Sequence, residues 1–246
     1  MKQRNDLTFY DRVAAEWWQP DSQVYALHHL NPLRFAYFDR YIANWQGLRV
    51  LDVGCGGGYT CEFLASRGSI VSGVDPASQC IHAAQEHARS VGQSICYQLG
   101  AAEALPFQSG EFDVVVCVDV LEHVADLPQT IQEIQRVLKP QGWFCFDTIN
   151  RTFWSKLIMI WLLEDWLRLI PAGIHDWQQF ITPPELTHLL IQAGFQPIDL
   201  QGFNLFGTTL WDYWIAYRYY RQTGGLQAQI SNDCSVMYIG VAQNQV

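Results

Sequence analysis

An α/β fold built on a largely parallel sheet wound on both faces follows from the order of hydrophobic runs in this chain. Apolar runs at 49–54, 70–75, 95–99, 112–118 and 142–147 alternate with stretches of helical periodicity. Strands joined through helices must cross over to return in the same direction, which places helices on both faces of one sheet. The first run, Val50-Leu51-Asp52-Val53, opens into Gly54-Cys55-Gly56-Gly57-Gly58, and the second, Ile70-Val71-Ser72-Gly73-Val74, ends on Asp75. Near-continuous apolar strands of this kind are buried on both faces. At 246 residues the chain is long enough for one such domain with additions and short for two.

The elements divide the chain into four parts. Residues 1–46 read as a helical cap, with helices over Phe9–Trp18 and His28–Tyr41, and residues 47–150 carry the five alternating runs. Leu138-Lys139-Pro140-Gln141-Gly142 reads as a sharp break before the fifth run. In residues 151–180 the segment Phe153–Ile170 is apolar and aromatic. Wound at a helical pitch, it gathers Lys156, Glu164, Asp165 and Arg168 into one thin polar sector. Such a helix either closes over a pocket as a lid or lies against lipid. Residues 181–246 complete the sheet, with a helix from Pro183 to near Gly194, a strand at 195–203, an aromatic cluster at Trp211-Asp212-Tyr213-Trp214 and a last strand at Val236–Ala242.

Composition narrows the function. With 15 Lys and Arg against 24 Asp and Glu, the formal net charge is −9, the wrong sign for a phosphate backbone, so no nucleic acid is expected as partner. The seven cysteines form no C-x-x-C pair, and Cys55, Cys117 and Cys145 fall in or beside buried strands, as expected of reduced core thiols in a cytoplasmic protein. The polar start at Met1-Lys2-Gln3-Arg4 carries no signal-peptide core, and no stretch reaches the roughly 18 apolar residues of a membrane span.

The glycine spacing selects among nucleotide ligands. A dinucleotide fingerprint beginning at Gly54 and Gly56 needs its third glycine at position 59, which is Tyr59, and no lysine follows to make a P-loop. The remaining pattern, Asp52-x-Gly54-x-Gly56-x-Gly58, resembles the D-x-G-x-G-x-G signature of class I methyltransferases that use S-adenosylmethionine (SAM). Asp75 follows Gly54 by 21 positions, the interval at which a βαβ unit offers a carboxylate to ribose hydroxyls; a turn that starts the next helix is the other reading. In the loop after the third run, Ala102 and Glu103 are placed to hydrogen-bond an adenine.

Reacting groups are sought beyond the carboxyl ends of the strands. Asp119, Glu122 and His123 stand at i, i+3 and i+4; on a helix they share one face and can ligate a divalent cation such as Mg²⁺, Mn²⁺ or Zn²⁺. Alternatively Asp119 caps that helix while Glu122 and His123 line the pocket. Arg34 suits the α-carboxylate of SAM. His175, in His175-Asp176-Trp177, and His123 are candidate general bases, with helix capping or ordering of the lid as the other role for His175. Asn150-Arg151 stands close enough for substrate contact.

Taken together, Ala14-Ala15-Glu16-Trp17-Trp18, Leu30-Asn31-Pro32-Leu33-Arg34, the glycine motif, Leu121-Glu122-His123-Val124, Ile149-Asn150-Arg151 and His175-Asp176-Trp177 resemble the quinone-biosynthesis O-methyltransferases of the 3-demethylubiquinone 3-O-methyltransferase type. The resemblance implies a Rossmann-like class I methyltransferase fold, with a mostly parallel seven-stranded sheet, an antiparallel last strand and helical caps. It implies SAM as methyl donor and a polyprenylated phenol or quinol as acceptor; the apolar helix at 153–170 suits peripheral contact with the membrane that would hold such an acceptor. By the same resemblance Arg34, Gly54, Asp75 and Val118 contact SAM, and Asp119, Glu122 and His123 go with a divalent cation such as Mg²⁺. Two positions depart from the family pattern: Asp119 stands where Glu is usual, and Gln141 where glycine is usual. A methyltransferase of another small molecule, or a non-catalytic SAM-binding protein, are the rival readings.

Overall fold

The computed structural model describes residues 4–20, 22, 24–205, 210–223 and 227–246. Eight strands form one sheet: β1 (Arg49–Val53), β2 (Ile70–Asp75), β3 (Cys96–Leu99), β4 (Phe112–Cys117), β5 (Leu138–Ile149), β6 (Phe195–Asn204), β7 (Gln229–Ser231) and β8 (Met237–Asn244). Their order is β3-β2-β1-β4-β5-β8-β6-β7. The first five are mutually parallel, β8 runs antiparallel to both β5 and β6, and β7 antiparallel to β6. The expectation of seven strands is corrected by β7, which pairs only three residues with Gly202–Asn204 on the open edge of β6. A strand that short shows no alternation for a sequence pattern to register.

Alternation along the strands builds two cores. Val114 and Val116 of β4 face one side with Val50 and Val71, where α2 (Asn31–Phe38), α3 (Tyr59–Ser66) and α4 (Ser78–Ser90) supply Phe35, Phe38, Leu64 and Ala84. Val115 and Cys117 face the other with Leu51 and Val53, against Ile131 and Ile134 of α5 (Leu127–Val137) and Leu186 and Leu190 of α7 (Pro183–Gln192). α5 starts where the Asp126 carboxylate accepts from Gln129 N at 3.0 Å. α7 starts at a reciprocal Thr182/Glu185 capping box with two prolines in its first turn. All seven cysteines are free.

The N-terminal cap is more broken than the sequence predicts. α1 (Thr8–Val13) passes into a 3₁₀ turn at Ala14–Glu16, and a second 3₁₀ stretch at Tyr25–Leu30 leads into α2. Phe9, Ala14, Trp17 and Val24 form a separate core with Tyr59, Ala77, Cys80 and Ile174, which holds the cap over the ends of β1 and β2.

Between β5 and α7, the short α6 (Phe153–Ser155) continues as π-type helix over Lys156–Trp166. Met159, Ile160 and Leu163 are buried, while Phe153, Trp154, Trp161 and Trp166 face out at 60, 56, 45 and 77% exposure. The polar sector is corrected: Glu164 is fully buried. Hydrogen bonding five residues apart widens the turn, so a 3.6-residue pitch misassigns the faces. α8 (Leu210–Thr223) carries the second aromatic cluster, with Trp211 and Trp214 exposed and stacked at 4.9 Å; residues 206–209 lie outside the described part. Among the described residues no helix is long and apolar enough to cross a membrane.

Candidate active site

The sheet order reverses between β1 and β4, and a cavity opens beyond the carboxyl ends of these two strands, as the topology requires. Gly54 N and Cys55 N both donate to Val74 O, at 2.8 and 3.0 Å, folding the glycine loop across the end of β2. At Gly54, with φ +72°, a Cβ would fall 2.3 Å from Val120 Cγ2, and at Gly56, with φ +49°, one would fall 2.5 Å from the Trp17 ring. Only bare backbone fits there. Gly58 stands at the N-cap of α3, behind the loop. The structure shows the turn reading of Asp75: one carboxylate oxygen accepts from Ala77 N at the start of α4 and the other from Gly56 N, both at 2.8 Å, and the residue lines the cavity. Burial raises the Asp75 carboxyl above its ordinary range and lifts that of Asp52 to about 7.

Arg34 enters the same cavity from α2, 2% exposed. Its Nε donates to Asp147 at 2.5 Å and its Nη2 to Asp119. Burial alone would lower its pKa, but the two carboxylates outweigh burial and hold the guanidinium charged. Asp147, which sequence reasoning passed over as the end of a strand, is wholly buried and also accepts from Asp119 N at 2.8 Å. That bond fixes Asp119 at φ +57°, a left-handed bend that aspartate adopts more readily than most residues.

The expectation of a helix beginning at Asp119 is corrected. Residues 119–124 form a bend and a turn, α5 begins at Leu127, and Asp119 points to Arg34 instead of sharing a face with Glu122 and His123. The partner that joins those two is His175: one ligand atom from each of Glu122, His123 and His175 lies within 4.8 Å of the others. The imidazoles stack with centroids 5.2 Å apart. His123 Nδ1 donates to Asn5 Oδ1 at 2.9 Å and His175 Nδ1 to Glu164 Oε1 at 2.7 Å, so each ring meets its oxygen partner through Nδ1 and not through Nε2. Thr148 donates to Glu122 at 2.7 Å. Burial, helped by Asp119, pushes Glu122 up to about 8, and burial with His175 alongside holds His123 well below its ordinary value. Sequence reasoning missed Asn5 and Glu164, because neither lies near its histidine in the chain.

Val118, Asp52, Gly54 and Gly56 line the cavity with Arg34, Asp119 and His123. Ala102 and Glu103 do not: the Glu103 carboxylate accepts from Ala125 N at 2.7 Å and ties the loop before α5, and Ala102 packs into the core. Asn150 donates to Cys234 O, and Arg151 pairs with Glu185. Asp176 caps the short turn at Trp177–Gln179, so the capping role in this motif falls to the neighbour of His175. A glycine cradle and several carboxylates against one arginine suit a nucleoside ligand carrying positive charge.

Comparison with known proteins agrees with this geometry. Residues 51–146 match a family model described as "Methyltransferase domain". The ubiquinone biosynthesis O-methyltransferase of Thiobacillus denitrificans is 39% identical over 200 residues, covering 81% of this chain and 86% of that protein. That of Ruegeria pomeroyi is 40% identical over 225 residues, covering 87% and 90%. Among solved structures, the PH0226 protein of Pyrococcus horikoshii superposes with a TM-score of 0.64 at 22% identity, covering 96% of this chain and 98% of that one. A SAM-dependent methyltransferase of Methanosarcina mazei superposes at 0.59 with 23% identity, covering 82% and 94%. At such identities these two establish the fold alone.

Proposed function

The chain belongs to the ubiquinone biosynthesis O-methyltransferase family, and from that premise we propose that it transfers the sulfonium methyl of SAM to a phenolic oxygen of a polyprenylated ring. The observation that carries this reading is the meeting of two sets of groups at one cavity. The glycine loop and Asp75 line it from one side and His123 from another. The sulfonium already activates the methyl group, so the protein's task is alignment of donor and oxygen for in-line attack.

His123 is suited to take the phenolic proton. Its depressed pKa keeps the ring neutral at neutral pH, and its Nδ1–H is committed to Asn5, so Nε2 carries the free lone pair. His175, held by Glu164, stacks beside it and keeps the cluster in place. One specific observation favours a second reading, in which Glu122, His123 and His175 hold a divalent cation such as Mg²⁺. Each histidine has its far nitrogen tied to an oxygen, the pattern by which outer partners orient metal ligands. A cation there would lower the pKa of a catechol oxygen. Asp119 has no place in this set, being bound to Arg34.

The acceptor's isoprenoid tail is the reason for the outward aromatic face at 153–170. Phe153, Trp154, Trp161 and Trp166 form apolar surface that suits peripheral contact with the membrane holding such a substrate.

Incubation of the protein with labelled SAM and a short-chain demethylated quinol tests the proposal. Label on the phenolic oxygen is expected, lost roughly 100-fold in His123→Ala; label on another atom, or none, overturns it. Treatment with a chelator separates the two readings of the cluster. Full activity after chelation leaves His123 as base, and loss restored by Mg²⁺ supports the cation.

A further inference from the structure

Residues 4–6, just ahead of α1, are tied to both sides of the histidine cluster. Arg4 Nη1 donates to Glu164 Oε2 at 3.3 Å and to His175 O at 3.2 Å, and its Nη2 lies 3.4 Å from the Asp165 carboxylate. Asp6 N donates to Gly173 O at 3.2 Å. All these partners belong to the segment between β5 and α7. Asn5, between the two anchors, reaches instead to the turn after β4: its Nδ2 donates to His123 O at 3.1 Å, and its Oδ1 lies 2.9 Å from His123 Nδ1. Its backbone sits at φ +63°, a left-handed bend that asparagine adopts more readily than most residues. One side-chain amide thus grips both the backbone and the ring of a residue 118 positions away.

That grip decides where His123 carries its proton. A backbone carbonyl can only accept, so the NH2 group of Asn5 has to face His123 O, and this turns Oδ1 toward the ring. An amide oxygen also only accepts. Nδ1 must therefore bear the hydrogen, and the lone pair of the neutral ring falls on Nε2. Among the described residues no other hydrogen bond reaches this ring, so without the amide nothing selects between the two tautomers. We infer that Asn5 is a positioning residue for methyl transfer: its double hydrogen bond holds His123 in the Nδ1–H tautomer and leaves Nε2 to accept the phenolic proton. The inference rests on the reading of His123 as the group that meets the acceptor. The cation reading needs the same tautomer, because a ligating imidazole nitrogen carries no proton. Arg4 and Asp6 supply the anchorage that keeps Asn5 within reach.

Asn5→Gly tests this, since glycine keeps the left-handed bend without strain and removes the amide. With labelled SAM and the short-chain quinol, kcat is expected to fall roughly 30-fold while KM for both substrates holds within about two-fold. Unchanged kcat overturns the inference, as does a loss carried by KM, which would mark a packing role only. Proton–nitrogen correlation spectra of the imidazoles at neutral pH, with the His123 signals assigned by their loss in His123→Gln, read the tautomer without reference to turnover. Wild type is expected to hold the hydrogen on Nδ1, and Asn5→Gly to spread it over both nitrogens. Hydrogen on Nε2 in wild type, or one spectrum for both proteins, overturns the inference; should Asn5→Gly fail to fold, the wild-type spectrum decides. Full turnover in His123→Ala, by contrast, would remove the reading of His123 itself, and the inference with it.

Discussion

Glu122 and His123 are adjacent, and burial drives both toward neutrality from opposite directions. For Glu122 the folded chain binds its proton more tightly than the unfolded chain, with a pKa raised from 4.5 to about 8. The folded state then holds more protons, so stability falls as pH rises between those two values and levels off above the upper one. Glu122→Gln cannot ionise and keeps an acceptor for Thr148. Its stability relative to wild type is expected to improve from pH 5 to pH 8 by a few kcal/mol, in order of magnitude. Urea midpoints measured across that range check it, and parallel profiles for the two proteins would count against a buried, proton-holding Glu122. At Gly54 both the positive φ and Val120 oppose any side chain. Gly54→Ala is expected to abolish detectable SAM binding in a calorimetric titration, with a melting point lowered by several degrees. The roles of Gly54 and Gly56 were legible in the sequence because a glycine motif is local. Asp147 and Glu164 were not, since each acts on a residue brought to it by the fold: Arg34 lies 113 positions from Asp147, and His175 reaches Glu164 only through the reversal at Pro171–Gly173.

The strands whose runs are continuous, β1, β2 and β4, fall within one residue of the positions expected from the sequence. Where an element depends on tertiary pairing, the pattern gives out. β5 begins at Leu138, directly after α5, and the expected break is a bulge in its pairing with β4 between Phe112 and Val114. Gln141, on the exposed part of this bulge, sits at φ +64°. A side chain there is strained by about 1 kcal/mol or more relative to glycine, offset in part by the entropy that glycine loses on folding. Gln141→Gly is therefore expected to raise the melting temperature by about 1–3 °C without altering SAM affinity. A lowered melting temperature in a thermal scan would show that the bend is not strained. The π-type helix is the other element hidden from the sequence, because its composition gives no sign of which hydrogen-bond spacing the chain adopts.

The molecule as a body carries a formal charge of −9 and exposes aromatic rings at Phe153, Trp154, Trp161 and Trp166, and separately at Trp211 and Trp214 on α8. Charge of that sign gives no general attraction to anionic lipid, so the proposed membrane contact comes from burying apolar rings. Flotation with neutral phosphatidylcholine vesicles is expected to carry the protein at a level insensitive to salt. Trp154→Ser with Trp161→Ser is expected to cut that level about ten-fold, with an unchanged melting point. Absence from the lipid fraction at any salt concentration would remove the membrane proposal while leaving the methyl-transfer chemistry standing.

The alternation of strand and helix, the parallel run of the first five strands and the place of the glycine loop were already written in the linear chain, since hydrophobic period and glycine spacing express contacts between residues close in sequence. Folding alone brought Asp119 to Arg34 and joined His175 to Glu122 and His123. Such contacts depend on how separate elements pack around the end of the sheet, and a one-dimensional pattern holds no record of that packing.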